Sequence, residues 1–200
     1  MKTDTRTYTM RARADAVDAT RERIARAALA RFIADSYDAV TIASVAKDAG
    51  VSHQTVLNHF TSKEGLFTAA TERFGADVMK LRGERTGHDA ASAVALAIEQ
   101  YEATGDGNVR LAMLDDRIPA VKAAMDFGRA THQAWLAEVF ADRLPSAAAE
   151  RAHVLSQLHA ATDVYTWKLL RRDFGLGRRA TQKIMTDTVT AILDSKGTNP

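Results

Sequence analysis

The chain has 200 residues, of which 46% are hydrophobic and 26% are charged, and its formal net charge is +2. This length is compatible with one large domain or two small ones, and it suffices to bury a core without disulfides or metals. The absence of cysteine excludes thiol nucleophiles, thiolate metal sites and a disulfide scaffold. No apolar run has the length of a membrane span or a secretory signal, so we expect a cytoplasmic protein with no membrane partner.

The charge is unevenly distributed along the sequence. Up to Lys63, Lys and Arg outnumber Asp and Glu by 10 to 7, whereas beyond it the acidic residues lead by 18 to 17. A surface that faces phosphates needs a basic excess, which favours the N-terminal third. A difference of this size is also common on a solvated face, so it is weak evidence alone.

Apolar periodicity predicts an amphipathic helix over residues 18–34. Ile24, Ala28 and Phe32 recur every four residues and share one face, while arginines occupy the rest of the surface. We expect residues 1–17 to form a flexible arm.

Two short helices follow, each with its own start signal. Thr41 supplies an N-cap hydroxyl to the first, which ends at Gly50. Ser52 is placed to cap the second, which runs to Phe60, and Ser62 is placed to cap a further helix.

Beyond Gly87 the sequence becomes rich in alanine and is interrupted by turn-like segments such as ATGDGN and DFGLG. The predicted helices lie at 88–103, 108–114, 119–143, 146–173 and 177–194. Because no segment alternates like a strand, we predict an all-α protein of about nine helices.

The segment 41–60 has the pattern of a helix-turn-helix motif. Gly50 can adopt the left-handed conformation at the turn, and Val51 after it packs towards the core. Small residues allow the first helix to approach closely, and Val56 and Phe60 attach the second helix from beneath.

The opposite face of the second helix carries short hydrogen-bonding side chains: His53, Gln54, Thr55, Asn58 and His59. The major groove of DNA is recognised through donors and acceptors at fixed distances, which such side chains supply. The alternative is an exposed polar helix in an ordinary small bundle.

The order of these features resembles the DNA-binding domain of the TetR family of bacterial repressors. The resemblance covers about residues 20–75 and rests on the opening helix, on TIASVAKDAGVS, on the short helix ending in HF, and on TSKEGLF. It implies a two-domain, TetR-like architecture with a C-terminal helical domain for ligand binding and dimerisation.

The resemblance also implies roles for individual residues. Phosphate contacts fall to Thr41, Ser44 and Lys63, to which we add Ser52 and His59. Base contacts fall to His53, Gln54 and Thr55, to which we add Asn58. Hydroxyls, helix N-termini and lysine suit phosphates, whereas short polar groups suit base edges.

The sequence departs from the family at two positions of the second short helix. Members usually carry an aromatic residue, most often tyrosine, at the position of Leu57, and often a second one at the position of Asn58. Leu57 is suited to contact a thymine methyl, and Asn58 or His59 to contact the backbone. The operator therefore cannot be inferred by analogy.

The sequence offers no machinery for catalysis. It lacks a nucleophile motif, a Gly-rich loop and a metal-spaced His or Glu cluster, so we predict no enzyme activity, no cofactor and no metal. His53 and His59 lie six residues apart, on different faces of a helix. A hydrogen-bonded core or interface position is the expected role of His132 and His153, and of His159 unless it lines a pocket.

Aromatic residues and methionines in the C-terminal helices favour an apolar cavity for an unidentified small ligand. The candidate lining residues are Met113, Phe127, Trp135, His159 and Tyr165. Residues of this kind at helical spacing also belong to ordinary cores, which is the alternative.

The last two predicted helices are candidates for a homodimer interface, because the corresponding pair forms a four-helix bundle in the family. The candidate residues are Leu155, Leu158, Thr162, Leu169, Ile184 and Val189. Burial inside one protomer is the alternative. One short recognition helix contacts few bases, so two-fold pairing is expected.

Together these features predict a homodimeric regulator of double-stranded DNA with a flexible arm (1–17), a helix-turn-helix domain (18–62) and a ligand-binding and dimerisation domain (63–200). The most specific expectation is a repressor released from a palindromic operator when a small apolar ligand shifts the helix that begins at Lys63. An activator and a ligand-independent DNA-binding protein are the alternatives.

Overall fold

The structure is a computed structural model that describes residues 4–85, 87 and 89–195. The described residues form helices and turns and contain no strand, which confirms the predicted all-α class. The α-helices are α1 (Asp4–Ala34), α2 (Ile42–Ala49), α3 (His53–Phe60), α4 (Lys63–Arg85), α5 (Ala90–Ala112), α6 (Pro119–Val139), α7 (Ala148–Thr162), α8 (Val164–Lys168) and α9 (Arg178–Asp194). A single 3₁₀ turn, Ala141–Arg143, follows α6, and a π-helical turn, Leu169–Asp173, continues α8.

The chain divides into two compact units, residues 1–75 and 76–200. The first contains α1 to α3 and the start of α4, whereas the sequence placed a domain boundary between 62 and 63. The core of this unit includes Ile24, Phe32, Val45, Val56 and Phe67, all of them fully buried or nearly so. The assignment of functions to the segments 1–17, 18–62 and 63–200 stays a prediction.

Helix α1 begins at Asp4, well before the predicted start at residue 18. Neither glycine nor proline occurs between residues 4 and 34, so nothing in the sequence interrupts the helix. Residues 13–19 are all exposed on this helix. The predicted start was therefore wrong because apolar periodicity marks only the part of a helix that packs against a core.

Helix α5 corrects a second boundary. The sequence predicted separate helices at 88–103 and 108–114, but one helix runs from Ala90 to Ala112. Gly105 and Gly107 lie in the segment that the sequence predicts as a break, but both are buried within this helix. The ring of Trp167 lies so close to Gly105 that a Cβ atom there would collide with three ring carbons. This glycine therefore permits the close packing of two helices and does not mark a turn.

The predicted helix 146–173 is broken at Asp163, which lies between α7 and α8 in an extended conformation. The Asp163 carboxylate accepts a hydrogen bond from the backbone N–H of Tyr165 at 2.8 Å and so caps α8. The predicted helix 119–143 likewise ends at Val139, before the 3₁₀ turn. The prediction of a helix at 177–194 is confirmed by α9.

Candidate nucleic-acid interface

Helix α2 begins with a reciprocal cap between the first two predicted phosphate ligands. The Thr41 hydroxyl accepts the backbone N–H of Ser44 at 3.1 Å, and the Ser44 hydroxyl accepts the backbone N–H of Thr41 at 3.2 Å. This capping box fixes the start of α2 at the surface, where Thr41 is exposed. Contact of these hydroxyls with DNA stays a prediction.

The turn between α2 and α3 has the conformation that the sequence predicted. Gly50 lies in the left-handed region, with φ of 64°. Its N–H donates to the Lys47 carbonyl at 3.2 Å, and the Val51 N–H donates to the Ala46 carbonyl at 3.0 Å. These bonds satisfy the last carbonyls of α2 and set the direction in which α3 leaves.

Helix α3 is short and has one buried side and one exposed side. Ser52 caps it, because its hydroxyl accepts the Thr55 backbone N–H at 3.0 Å. Val56 and Phe60 are buried beneath the helix. The helix-turn-helix geometry predicted for residues 41–60 is thus present.

The exposed side of α3 holds most of the predicted base-contacting residues. His53, Gln54 and Asn58 are exposed, whereas Thr55 and His59 are partly buried. The Thr55 hydroxyl lies 2.8 Å from that of Ser52, which ties both to the cap. The Gln54 side-chain amide donates to the Asn58 carbonyl oxygen at 2.9 Å. Asn58 and Gln54 therefore form one joined polar group on the helix surface.

Arginines of α1 hold the C-terminal ends of both short helices. The Arg23 guanidinium donates to the Ala49 carbonyl at the end of α2, at 2.9 Å. The Arg21 guanidinium donates to the His59 carbonyl near the end of α3, at 3.2 Å, and lies 4.7 Å from the centre of the Phe60 ring. A positive charge at a helix C-terminus is favourable. Sequence reasoning missed these roles, although both arginines flank the apolar face that begins at Ile24.

Arg31 adds an ion pair between α1 and α2. It donates to both carboxylate oxygens of Asp48, at 2.5 and 3.0 Å, and the guanidinium holds the pKa of that carboxyl below its ordinary value. The pair is partly exposed, so we expect it to orient α2 more than to stabilise the fold.

Lys63 lies at the start of α4, above an aromatic cluster. Its ammonium is 4.4 Å from the centre of the Tyr37 ring and 3.4 Å from the Asp38 carbonyl. Tyr37 stacks on Phe32, and both rings meet Phe67 edge to face. The sequence marked 36–39 only as a break, because an isolated tyrosine in a loop gives no periodic signal.

The second unit contains a cleft of about 420 Å³ on its surface. Its lining residues are Gln133, Ser156, His159, Ala160, Asp163, Tyr165 and Thr166. His159 Nε2 lies 3.3 Å from the Asp163 carboxylate. Burial raises the pKa of Asp163, but the hydrogen bonds from His159 and the Tyr165 backbone outweigh it, and the pKa lies below its ordinary value. The cleft therefore holds a carboxylate among amide, hydroxyl and imidazole groups.

A buried polar chain leads from this cleft to α4. The His159 ring packs edge to face on the ring of His132, with 4.9 Å between their centres. His132 Nδ1 accepts a hydrogen bond from Arg82 of α4 at 3.1 Å, because a guanidinium can only donate. Nε2 then carries the ring hydrogen and donates to the Thr162 hydroxyl at 2.8 Å. Burial and the charge of Arg82 lower the pKa of His132 to about 3, so the ring is neutral at physiological pH.

The other predicted pocket residues lie elsewhere. Met113 and Phe127 are 74% and 58% exposed and do not line the cleft, and Trp135 is buried in the core. The Trp135 ring packs on the Arg82 guanidinium at 4.2 Å and beside His132. Of the five predicted residues, the structure brings only His159 and Tyr165 together.

The candidate dimer residues divide into two groups. Leu155, Leu158, Thr162 and Val189 are buried within the protomer. Burial inside one protomer was the alternative to a dimer interface. Leu158, Thr162 and Val189 have no exposed surface for a partner to cover. Leu169 and Ile184 are 43% and 41% exposed. An interface role for these two stays a prediction. In the described part of the chain, every helix is too short or too polar to cross a bilayer.

Comparisons with known proteins agree with this geometry. Residues 24–70 match the family described as bacterial regulatory proteins, tetR family. The fold is similar to that of a transcriptional regulator from Rhodococcus sp. Rha1, with a TM-score of 0.71 and 20% identity over 90% of this chain and 99% of that one. It is also similar to a tetR-family transcriptional regulator from Streptomyces coelicolor, with a TM-score of 0.68 and 18% identity over 92% of this chain and 90% of that one.

GusR of Salmonella enterica has a TM-score of 0.68 and 21% identity over 88% of this chain and 96% of its own. No curated protein matches the sequence. At these identities the solved structures establish the fold, while the matched segment contains α2, α3 and their packing partners. Through this helix-turn-helix segment, residues 24–70 of the chain are similar to the bacterial regulatory proteins of the tetR family.

Proposed function

We propose that the chain is a cytoplasmic, homodimeric transcriptional repressor that binds a palindromic DNA operator and is released by a small molecule. The observation that carries the proposal is the exposed polar side of α3. Three of its four predicted base-contacting residues are exposed. An α-helix presented in this way fits the major groove, where base edges offer donors and acceptors.

Groups on both sides of α3 are suited to hold the phosphate backbone. Thr41 and Ser44 lie at the N-terminus of α2, where the helix dipole and free N–H groups favour an anion. Lys63 begins α4 and brings a full positive charge, while Ser52 and His59 lie at the two ends of α3. Such contacts position a protein on DNA, and base contacts select the sequence.

The small DNA-contacting surface of one protomer supports dimerisation. Helix α3 has eight residues and presents only one turn or two to a groove. Two copies placed about 34–36 Å apart on one face of the duplex combine their binding energies. Exposed Leu169 and Ile184, together with Phe174, support an interface formed by the α8 and α9 regions.

The cleft beside His159 and Tyr165 is the proposed effector site. Its lining combines one half-exposed tyrosine ring with amide, hydroxyl, imidazole and carboxylate groups. An effector bound there needs hydrogen-bonding groups as well as the apolar surface that the sequence predicted.

The same cleft is connected to α4 through named contacts. His159 touches His132, and His132 accepts a hydrogen bond from Arg82, which lies nineteen residues after Lys63 on α4. We infer that an effector displaces His159 and thereby the α4 end that carries Arg82. Nearly complete release requires the effector to prefer the non-binding state by about 10⁴-fold.

The test is selection of bound sequences from a random duplex library, followed by binding measurements over a range of salt concentrations. We expect a palindrome with two half-sites. Lys63→Ala should weaken binding to all sequences alike and reduce the salt slope by about 2 per dimer, since each lysine neutralises about one phosphate.

Lys80→Ala is the matched control, because Lys80 is an exposed lysine of the same helix, 3.9 Å from Glu84. We expect Lys80→Ala to leave the slope unchanged. Absence of any enriched sequence, with no retardation of DNA in dilute salt, would refute the proposed function.

A further inference from the structure

The base-contacting side of α3 lacks the residues that most often recognise guanine. Its sequence, HQTVLNHF, contains neither arginine nor lysine. Bidentate contacts from those two residues to guanine O6 and N7 are the commonest specific contacts in the major groove. Helix α3 must therefore obtain its selectivity from other polar groups, which are amides, a hydroxyl and imidazoles.

Gln54 and Asn58 present a joined pair of such groups. They lie one turn apart, both are exposed, and the Gln54 amide donates to the Asn58 carbonyl oxygen at 2.9 Å. This bond leaves the Gln54 carbonyl oxygen available as an acceptor, and it leaves the Asn58 NH₂ and the second N–H of Gln54 available as donors. Exchanging the roles of the two amides would leave the same complement of one free carbonyl oxygen and the remaining N–H donors.

Adenine is the base whose major-groove edge matches this complement. It offers the N6 amino group as a donor and N7 as an acceptor, whereas guanine offers two acceptors. Facing guanine, the free carbonyl oxygen of the amide pair would meet O6 with no hydrogen between them. Leu57, partly exposed on the same helix, adds an apolar group suited to a thymine methyl.

We propose that the Gln54–Asn58 amide pair selects an adenine in each half-site, through a donor to N7 and an acceptor from N6. The proposal rests on the proposed function, since it assumes that α3 lies in the major groove. The bond between the two side chains fixes their geometry before DNA binds, which lowers the entropy lost on binding.

The experiment uses the full-length protein and its selected duplex, with each adenine replaced singly by 7-deazaadenine. This base lacks only the N7 acceptor. We expect one position per half-site to lose about 10-fold in affinity, in the range of a single bidentate contact. In the Asn58→Ala variant, the same replacement should cause no further loss.

Two controls separate this proposal from its alternatives. His53→Ala removes another exposed residue of α3, and it should keep the sensitivity to 7-deazaadenine. Guanines are replaced singly by 7-deazaguanine in a parallel series. A duplex that is bound but responds only to the guanine series, or whose adenine response survives in both Asn58→Ala and Gln54→Ala, overturns the amide-pair proposal. Failure to bind any duplex instead overturns the proposed function.

Discussion

Replacing Gly105 with alanine tests the packing of α5 against α8. A Cβ atom at this position would come closer than 3.0 Å to three carbons of the Trp167 ring. That ring is fully buried, and its indole N–H donates to Glu102 at 3.1 Å. The Arg172 guanidinium covers it at 4.6 Å from the ring centre. The ring therefore cannot move away without disturbing these partners.

Two opposing effects determine how much Gly105→Ala changes the free energy of unfolding. Replacing a helical glycine with alanine stabilises a helix by up to about 1 kcal/mol. Forcing an extra carbon into a packed core costs about 1 to 3 kcal/mol, and a collision with a rigid ring belongs at the upper end. The net loss in the free energy of unfolding is about 2 kcal/mol. For a chain of this size, that lowers the melting temperature by about 4 to 8 °C.

Gly128→Ala is the matched control, because Gly128 lies within α6 and a Cβ atom there would meet no atom within 4 Å. We expect Gly128→Ala to raise the melting temperature slightly, through helix propensity alone. Thermal unfolding of both variants followed by circular dichroism measures the difference. A Gly105→Ala variant that melts at or above the temperature of the wild type would show that the packing argument is wrong.

Three further changes test other parts of the structure. The Tyr37 hydroxyl is buried and has no hydrogen-bond partner among the described residues, so Tyr37→Phe should leave the melting temperature unchanged or raise stability by about 1 kcal/mol; a clear loss would contradict this. Gly50→Ala should cost about 1 kcal/mol in chemical unfolding, because φ is 64° there, and Gly50→Asn should cost less; equal costs would count against this explanation. His132 has a folded pKa of about 3 and an unfolded pKa near 6.5, so the unfolded chain binds more protons and stability falls as the pH drops through this range. Urea midpoints at pH 7 and pH 5 should therefore differ less in His132→Gln than in the wild type, and an equal difference would exclude His132 as the cause.

The helix-turn-helix was predictable because its signals are local. Thr41, Gly50 and Ser52 act within four residues of themselves, as caps and as a left-handed turn, and the structure places all three in those roles. Helix ends that are fixed by neighbours in sequence can be inferred without knowledge of the fold. The polar side of α3 was predictable in the same way, from the spacing of apolar and polar residues within the helix.

The second unit was harder to predict because its signals act over long distances. The sequence around Gly105 predicts a turn, yet the role of Gly105 depends on Trp167, which lies 62 residues further along the chain. Asp163 breaks a helix that the sequence predicted to be continuous, and Asp163 is also one of the residues that line the cleft. Neither effect is signalled by the residues adjacent to Gly105 or Asp163 in the sequence.

Predicting the pocket from residue type alone also gave the wrong lining residues in part. Met113 and Phe127 were expected to line a cavity but are exposed, whereas His159 and Tyr165 do share a cleft. Periodicity shows that a helix has an apolar face, but it does not show which neighbour covers that face. The link from His159 through His132 to Arg82 likewise joins three helices and required the fold.

Amide hydrogen exchange of the full chain, with and without a selected duplex, tests most directly whether α2 and α3 form the DNA-binding surface. We predict that DNA slows exchange in residues 41–63, and that an unrelated duplex at the same salt concentration has a smaller effect. Unchanged exchange in residues 41–63 while the selected duplex is fully bound would contradict the account.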